Sequence, residues 1–377
     1  MWSVLCEDTA AEENEVVAAV VDESAGKAVE QIVLASYEGE SEGGTAMVYG
    51  PPLVALTQSG GALAVWLKGP GTVGFGAMPF FWMARTFLDP QGAVSAGEFP
   101  LGALGVLKEP IDDRWLIALP GDKHVLLYDR RFPPDLTTVV DYKVFTTTGE
   151  SLDDGTIASF PAGTAVEALG GVAAGEDEVL LVWTVGPWQA QGGKVEVLSF
   201  HPSDGSSSIA GQIGGLDADQ AFNPTVAAME DGRAVLTYLR VAQATRHIEG
   251  RFVDFASGEP LLQETTFVVS EGDIDESAHP QVGGLVGGGF VVSWEALSAN
   301  GRDVIARMFD SSGVPAGTAF KVNSEYVAGH LPVEELGLPV PIGADGGGGA
   351  VVWRGVESGL PAGGQPDKVL LSRVGEL

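Results

Sequence analysis

The sequence has almost no cysteine and no long apolar segment. Cys6 is the only cysteine among 377 residues, so no disulfide can form within the chain, and a small disulfide-stapled fold is excluded. Every apolar run is interrupted well short of the roughly 18 residues that a membrane-spanning helix needs. The start, MWSVLCEDTAAEENE, lacks the basic and apolar regions of a secretory signal. We therefore expect a leader already removed, export by another route, or assembly inside a cell.

Basic residues are scarce as well. The 20 Lys and Arg stand against 51 Asp and Glu, which makes the net charge -31. Such a surface repels nucleic acid and anionic membranes, so we expect no nucleic-acid partner and no membrane insertion. Two interpretations of the acidity stay open: a well-solvated surface that resists aggregation, and a surface that collects divalent cations.

The sequence contains an internal repeat. Residues 217–238 and 273–294 align without a gap at an offset of 56, which aligns Tyr238 with Trp294. The same order of apolar strand, Gly-rich turn and apolar strand closing on an aromatic residue recurs along the chain. The closing aromatic residues are Trp66, Tyr128, Trp183, Tyr238, Trp294 and Trp353.

These repeats predict an all-β fold of antiparallel blades. In the best-preserved unit, the glycines of LVGGG favour a hairpin turn, 303–310 reads as a third strand, and 319–323 as a fourth. A degenerate unit with strands at 15–22 and 28–40 adds a seventh. We therefore predict one domain, 1–377, forming a seven-bladed β-propeller of four-stranded blades, with six blades as the alternative. The predicted repeats are 1–46, 47–105, 106–160, 161–216, 217–272, 273–325 and 326–377.

The two ends of the chain suggest how such a ring would close. The last unit ends at KVLLSRVGEL, an apparent third strand without a clear fourth, and MWSVLC is a short apolar run. We therefore predict that the first residues and the last repeat share a blade.

The unit at 280–323 resembles the repeats arrayed in large bacterial surface and exported proteins. The resemblance is carried by PQVGGLVGGGFVVSW and ARMFDSSGVPAGTAFKVN. It implies propeller blades and, at the level of the fold, a role in adhesion, scaffolding or binding.

Motifs for catalysis are missing from the sequence, so we assign no catalytic residue. There is no nucleophile elbow, zinc-protease motif or phosphate-binding loop. Ser151, Asp153 and Gly155 match the first half of a sialidase-type turn, but its Thr-Trp half is missing, and we interpret them as a plain turn. The histidines share no spacing, and we interpret each as a turn or blade-surface residue: His124, His201, His247, His279 and His330.

Two aligned acidic pairs are the candidate metal site. Asp217 with Asp219, and Asp273 with Asp275, lie in connections that enter blades, and carboxylates two residues apart can ligate Ca²⁺. Neither run completes a calcium-binding loop, so a solvated turn is the alternative. We expect no cofactor other than weakly bound Ca²⁺.

Aromatic residues in two inter-strand segments are the candidate partner-binding site. Six extra residues separate Trp66 from Arg85, compared with the spacing in later repeats, and they bring Phe75, Phe80, Phe81 and Trp82 into what reads as a loop. Trp188 occupies the corresponding segment two repeats later. These rings either cover a neighbouring blade or form the centre of an interface.

Taken together, these features predict a non-enzymatic binding or structural propeller of an extracellular assembly. A virion appendage, a decoration protein and a bacterial surface adhesin all fit this prediction. We expect protein partners in a larger assembly, surface glycans as further ligands, and a location outside the cell, at the cell surface or in a virion. The alternative is a glycan-binding lectin or a carbohydrate-active enzyme, that is, a sialidase-like glycoside hydrolase or a lyase.

Overall fold

The computed structural model shows a chain built from β-strands. All 27 elements assigned in the described part are strands. The structure describes residues 2–9, 13–22, 27–38, 46–57, 60–70, 80–89, 93–106, 114–132, 137–187, 193–215, 219–242, 245–255, 260–272, 274–275, 278–298, 301–323, 326–327, 340–343, 349–357 and 368–374.

Five sheets are four-stranded antiparallel meanders, each formed by strands in chain order. We call them blades 2 to 6, and they are the repeated blades of a β-propeller. Blade 2 comprises β4 (Ala46–Leu56), β5 (Ala62–Pro70), β6 (Phe80–Leu88) and β7 (Val94–Val106); blade 3, β8 (Arg114–Leu119), β9 (Lys123–Phe132), β10 (Thr137–Thr146) and β11 (Ser151–Phe160); blade 4, β12 (Thr164–Ala173), β13 (Val179–Pro187), β14 (Lys194–His201) and β15 (Ser206–Gly214); blade 5, β16 (Asp219–Ala228), β17 (Ala234–Ala242), β18 (Thr245–Asp254) and β19 (Leu261–Val268); blade 6, β20 (Gln281–Leu285), β21 (Gly289–Ser298), β22 (Gly301–Asp310) and β23 (Phe320–Lys321).

The prediction of a seven-bladed propeller of four-stranded blades is wrong: the described residues form five four-stranded blades, and the two terminal sheets depart from this plan. The first has three strands, and the sequence that follows it, GESEGGT, offers no apolar run for a fourth. In the last sheet, β26 pairs with all three other strands, so no sequential meander forms. These strands are β1 (Trp2–Thr9), β2 (Glu13–Asp22) and β3 (Lys27–Glu38), then β24 (Tyr326–Val327), β25 (Val340–Gly343), β26 (Gly349–Glu357) and β27 (Lys368–Val374).

The predicted closure by the N-terminus is also wrong for the part of the chain that is described. The strand β1 pairs with β2, in a hairpin whose register runs from Trp2 opposite Val20 to Thr9 opposite Glu13. A local hairpin between adjacent apolar runs therefore uses the residues that we expected in the last sheet.

The chain divides into two compact units. The first contains Met1–Thr164, Gly175–Asp177 and Pro202–Ser206, and the second contains Ala165–Ala174, Glu178–His201 and Ser207–Leu377. The prediction that the whole chain forms one domain stays a prediction.

The second unit is held together by apolar cores between successive blades. Between blades 4 and 5, one core includes Val182, Val197, Leu236 and Tyr238; between blades 5 and 6, another includes Trp294. Strand residues alternate between faces, so Tyr238 and Trp294, which are equivalent, each face the preceding blade. These two closing aromatic residues therefore lie in second strands and contribute to the packing between blades.

The core of the first unit contains a buried histidine. His124 is fully buried at the start of β9, where its ring stacks on Phe145 and contacts the edge of Phe87. Neither ring nitrogen has a hydrogen-bond partner, and burial lowers the pKa of His124 to about 4, with the Arg85 charge acting in the same direction and Asp122 opposing it. Our interpretation of this histidine as a surface residue is wrong.

Candidate functional site

The second half of the predicted aromatic loop belongs to a strand. Phe80, Phe81 and Trp82 begin β6, where the backbone of Trp82 lies opposite Lys68 and Ala103. Phe75 and Trp188 lie outside the described residues. The role of these rings in partner binding stays a prediction.

The structure describes one residue of each predicted acidic pair. Asp219 opens β16 and forms an ion pair with Arg240, and the backbone carbonyl of Asp275 accepts a hydrogen bond from Ala278. Asp217 and Asp273 lie outside the described residues. Among the residues that are described, no three His, Cys, Asp or Glu side chains come together as metal ligands, and calcium binding stays a prediction.

One cross-strand pairing that the sequence did not reveal recurs within three successive blades. In each, the closing aromatic residue of the second strand lies directly opposite a carboxylate on the third strand. These cross-strand pairs are Tyr128 with Asp141, Trp183 with Glu196, and Tyr238 with Glu249.

Two of these carboxylates are buried and fully engaged. Asp141 forms an ion pair with Arg130 and accepts the Thr156 hydroxyl at 2.6 Å. Glu196 accepts the Trp183 indole N–H at 3.1 Å, and its other oxygen accepts from Gln212 at 3.1 Å and from Lys194 at 2.8 Å. With exposed fractions of 2% and 7%, these two groups stabilise their blades and are closed to a ligand.

The third carboxylate, Glu249, is held differently. Its Oε2 accepts the Tyr238 hydroxyl at 2.9 Å, and its Oε1 lies 2.8 Å from His247 Nε2. Tyr238 is fully buried, and burial raises its pKa well above the ordinary value, with the Glu249 charge adding to the effect. The Tyr238 hydroxyl therefore stays protonated and holds the Glu249 carboxylate by donating a hydrogen bond from the buried side. The side chains of Glu249 and His247 are 16% and 25% exposed.

An arginine completes the group on the same face of blade 5. Arg240 is the cross-strand partner of His247, as Tyr238 is of Glu249. The Arg240 side chain is 17% exposed and pairs with Asp219, which is 59% exposed. The face thus runs from a buried tyrosine, through a carboxylate and an imidazole, to a guanidinium that pairs with the exposed Asp219.

Backbone contacts hold the first strand of blade 5 in place. Asn223 sits in a bulge with φ +52°, a conformation that asparagine tolerates better than most residues. Its N–H donates to the Thr184 hydroxyl at 3.1 Å, and its side-chain amide donates to the Ala278 carbonyl at 3.2 Å. This residue links three successive blades and so positions β16, which carries Asp219.

Blade 6 shows which of these residues the blade itself does not require. In its register, Trp294 lies opposite Ile305, and Ala296 lies opposite Asp303. Trp294 and Ile305 are thus equivalent to Tyr238 and Glu249. Ala296 and Asp303 are equivalent to Arg240 and His247. Blade 6 forms without the carboxylate or the arginine, so a blade does not require them. In blades 3 and 4 the carboxylates at the place of Glu249 are buried and structural, and Glu249 differs from them in its partly exposed contact with His247.

From the sequence we assign no catalytic residue, and we interpret His247 as a turn or blade-surface residue. The signal was present in RHIEGR (246–251), because residues two apart in a strand share a face. The equivalent segment of blade 6, RDVIAR (302–307), has Asp303 in place of His247 and Ile305 in place of Glu249.

No known protein family matches the chain, and no curated protein matches it. Solved structures do match. A protein of unknown function from Dyadobacter fermentans has a TM-score of 0.51 at 11% identity, covering 85% of this chain and 93% of its own. The polysaccharide lyase PL25 ulvan lyase has 0.52 at 9%, covering 97% and 87%. The Penicillium chrysogenum α-L-arabinanase has 0.53 at 14%, covering 87% and 93%.

At these identities the similarities show the fold. They contradict our prediction of a non-enzymatic binding or structural protein, because the solved structures with this fold include a polysaccharide lyase and an arabinanase. None of the comparisons supports the virion or adhesion prediction. Within the described residues, no helix is long and apolar enough to cross a membrane.

Proposed function

We propose that this protein is a carbohydrate-active enzyme, a glycoside hydrolase or a polysaccharide lyase, that uses His247 and Glu249 for proton transfer. The observation that carries the proposal is the 2.8 Å contact between His247 Nε2 and Glu249 Oε1 on a partly exposed face. A carboxylate that orients an imidazole is a recurring arrangement for general acid–base catalysis.

The surrounding contacts define the part that each residue plays. With its proton on Nε2, the imidazole donates to Glu249 and leaves the Nδ1 lone pair to accept a proton from a substrate. Glu249 then stabilises the imidazolium that forms. Tyr238 acts through Glu249 as a positioning residue, because its buried hydroxyl donates to the other carboxylate oxygen.

The class of substrate is supported by the solved structures with this fold. The ulvan lyase and the arabinanase act on glycans according to their names, and both reactions require proton transfer at a glycosidic linkage. We further propose that the protein works outside the cell, because intact polysaccharides are found there.

The test is turnover of a panel of neutral and acidic polysaccharides, measured as release of reducing ends. We expect at least one glycan to be cleaved, and we expect His247→Ala and Glu249→Gln to reduce kcat by about 100-fold or more, the usual contribution of general acid–base catalysis. His201→Ala, a histidine on β14 outside the group, is the matched control and should keep full activity. Binding without cleavage would identify a lectin, and unchanged turnover in His247→Ala would exclude this catalytic group.

A further inference from the structure

Arg240 identifies a substrate class for this site. Resting on the proposed function, we infer that the substrate is a glycan containing uronic acid, and that the protein cleaves it by β-elimination. The inference comes from the position of one guanidinium beside the proton-transfer group, together with its partner at the solvent end of the face.

The positions of Arg240 and His247 match the chemistry of a uronic acid. The two residues are direct cross-strand partners, so their Cβ atoms lie about 5 Å apart. In a uronate the carboxyl carbon is bonded to C5, the carbon whose proton is removed in elimination. A residue that binds the carboxylate and a base that removes the C5 proton must therefore be neighbours, as Arg240 and His247 are.

Asp219 occupies the place where a substrate carboxylate would bind. It is a carboxylate, it pairs with Arg240, and more than half of its side chain faces solvent. Guanidinium presents five N–H donors in a planar fork, and paired donors recognise carboxylates in preference to neutral hydroxyls. A substrate carboxylate can replace Asp219 or share the guanidinium with it.

The equivalent arginine of blade 3 is held differently. Arg130, two residues after Tyr128, forms an ion pair with Asp141, whose side chain is 3% exposed, so that arginine has a structural role. Arg240 pairs instead with Asp219, which is 59% exposed, and blade 6 has Ala296 at this position although it keeps an aspartate, Asp275, where blade 5 has Asp219. A blade therefore does not require an arginine here, and the partner of Arg240 is open to solvent.

The chemical step balances without a further reactant. His247 Nδ1 takes the C5 proton, whose acidity is raised when Arg240 neutralises the adjacent carboxylate. The electron pair of the C5–H bond forms the C4–C5 double bond as the C4–O glycosidic bond breaks. The leaving oxygen takes up a proton from water, and His247 releases its proton to solvent.

The experiment compares polyuronates with a neutral arabinan and follows two readouts: ultraviolet absorbance of the unsaturated uronate, and reducing ends. We expect both signals to rise together with the polyuronate. Arg240→Ala should lower kcat/KM on it by about 10- to 100-fold, the usual range for losing a charged hydrogen-bond partner, and Arg240→Lys should restore part of the loss. The control, Arg233→Ala, removes the partner of Asp231 at the opposite end of β17 and should keep its activity.

The outcomes separate this inference from the function on which it rests. Cleavage of neutral glycans alone, or reducing ends without unsaturation, overturns the uronate inference and leaves the proposed enzyme in place. Full polyuronate activity in a folded Arg240→Ala variant overturns the assignment of Arg240. If no glycan of either class is cleaved, the proposed function itself fails.

Discussion

Acidification should destabilise this protein through His124. The ring is fully buried against Phe145 and Phe87, and its pKa is about 4 in the folded state against an ordinary value of 6.5. The neutral ring is therefore the form that the fold accepts. Protonation would place a charge among aromatic rings and near the Arg85 guanidinium.

The sign and size follow from proton linkage. Because the folded pKa is lowered, the unfolded chain binds the proton first as the pH falls below about 6.5, and stability is lost until the pH passes below about 4, where both states become protonated. A difference of about 2.5 pKa units corresponds to about 3 kcal/mol at most. That is a large part of the 5 to 15 kcal/mol that folded domains typically have.

The assay is denaturant unfolding of the native protein and of His124→Phe, in steps between pH 7 and pH 4. Phenylalanine keeps an aromatic ring in the stack and removes the titration. The many carboxylates contribute to both proteins and cancel in the difference. We expect the free energy of unfolding of the native protein to fall by about 3 kcal/mol relative to the variant over this range; a constant difference would refute the reasoning.

Three further changes have defined outcomes. Gly149→Ala should lower the melting temperature more than Gly121→Ala, because both glycines have positive φ but an added methyl group overlaps the Arg85 guanidinium only at Gly149; equal losses would contradict the contact. Tyr238→Phe should reduce turnover and shift its pH profile, since Glu249 loses a donor; an unchanged profile would remove Tyr238 from the site. Cleavage of an anionic glycan should accelerate as the ionic strength rises from about 0.01 to about 0.15 M, because salt screens repulsion by a net charge of -31, while a neutral glycan should show no such change.

The repeat was visible in the sequence because the residues that bury each blade recur. Trp66, Trp183, Tyr238 and Trp294 all lie in the predicted second strands and are almost completely buried. The degenerate first repeat also forms strands where its apolar runs predict them, in Glu13–Asp22 and Lys27–Glu38. Apolar alternation and turn residues are local properties, and they survive even where the aromatic residue is missing.

The cross-strand pairs could not be predicted, because they depend on hairpin length. Arg85 illustrates this dependence. The spacing from Trp66 assumed that Arg85 is equivalent to Arg251 and Arg307 of later blades. In the structure the equivalent residue is Thr86, which lies opposite Ala64, and Arg85 lies one residue away, opposite Val65. A shift of one residue moves a side chain to the other face of a strand, which is why Arg85 contacts Phe145 and the Gly149 carbonyl.

The same dependence explains how one blade can acquire a site. Packing against the preceding blade requires an apolar or aromatic residue at the middle of the second strand, and Tyr238 and Trp294 both meet that requirement. The next position on the same face, towards the hairpin between the second and third strands, accepts either Ala296, which packs against the edge of the core between blades 5 and 6, or Arg240. Either aromatic residue can also supply a donor to a carboxylate opposite it: the indole N–H of Trp183 donates to Glu196 in blade 4, and the hydroxyl of Tyr238 donates to Glu249 in blade 5. The aromatic position therefore keeps the packing and makes a cross-strand carboxylate tolerable, and in blade 5 that carboxylate in turn contacts His247 on the partly exposed part of the face.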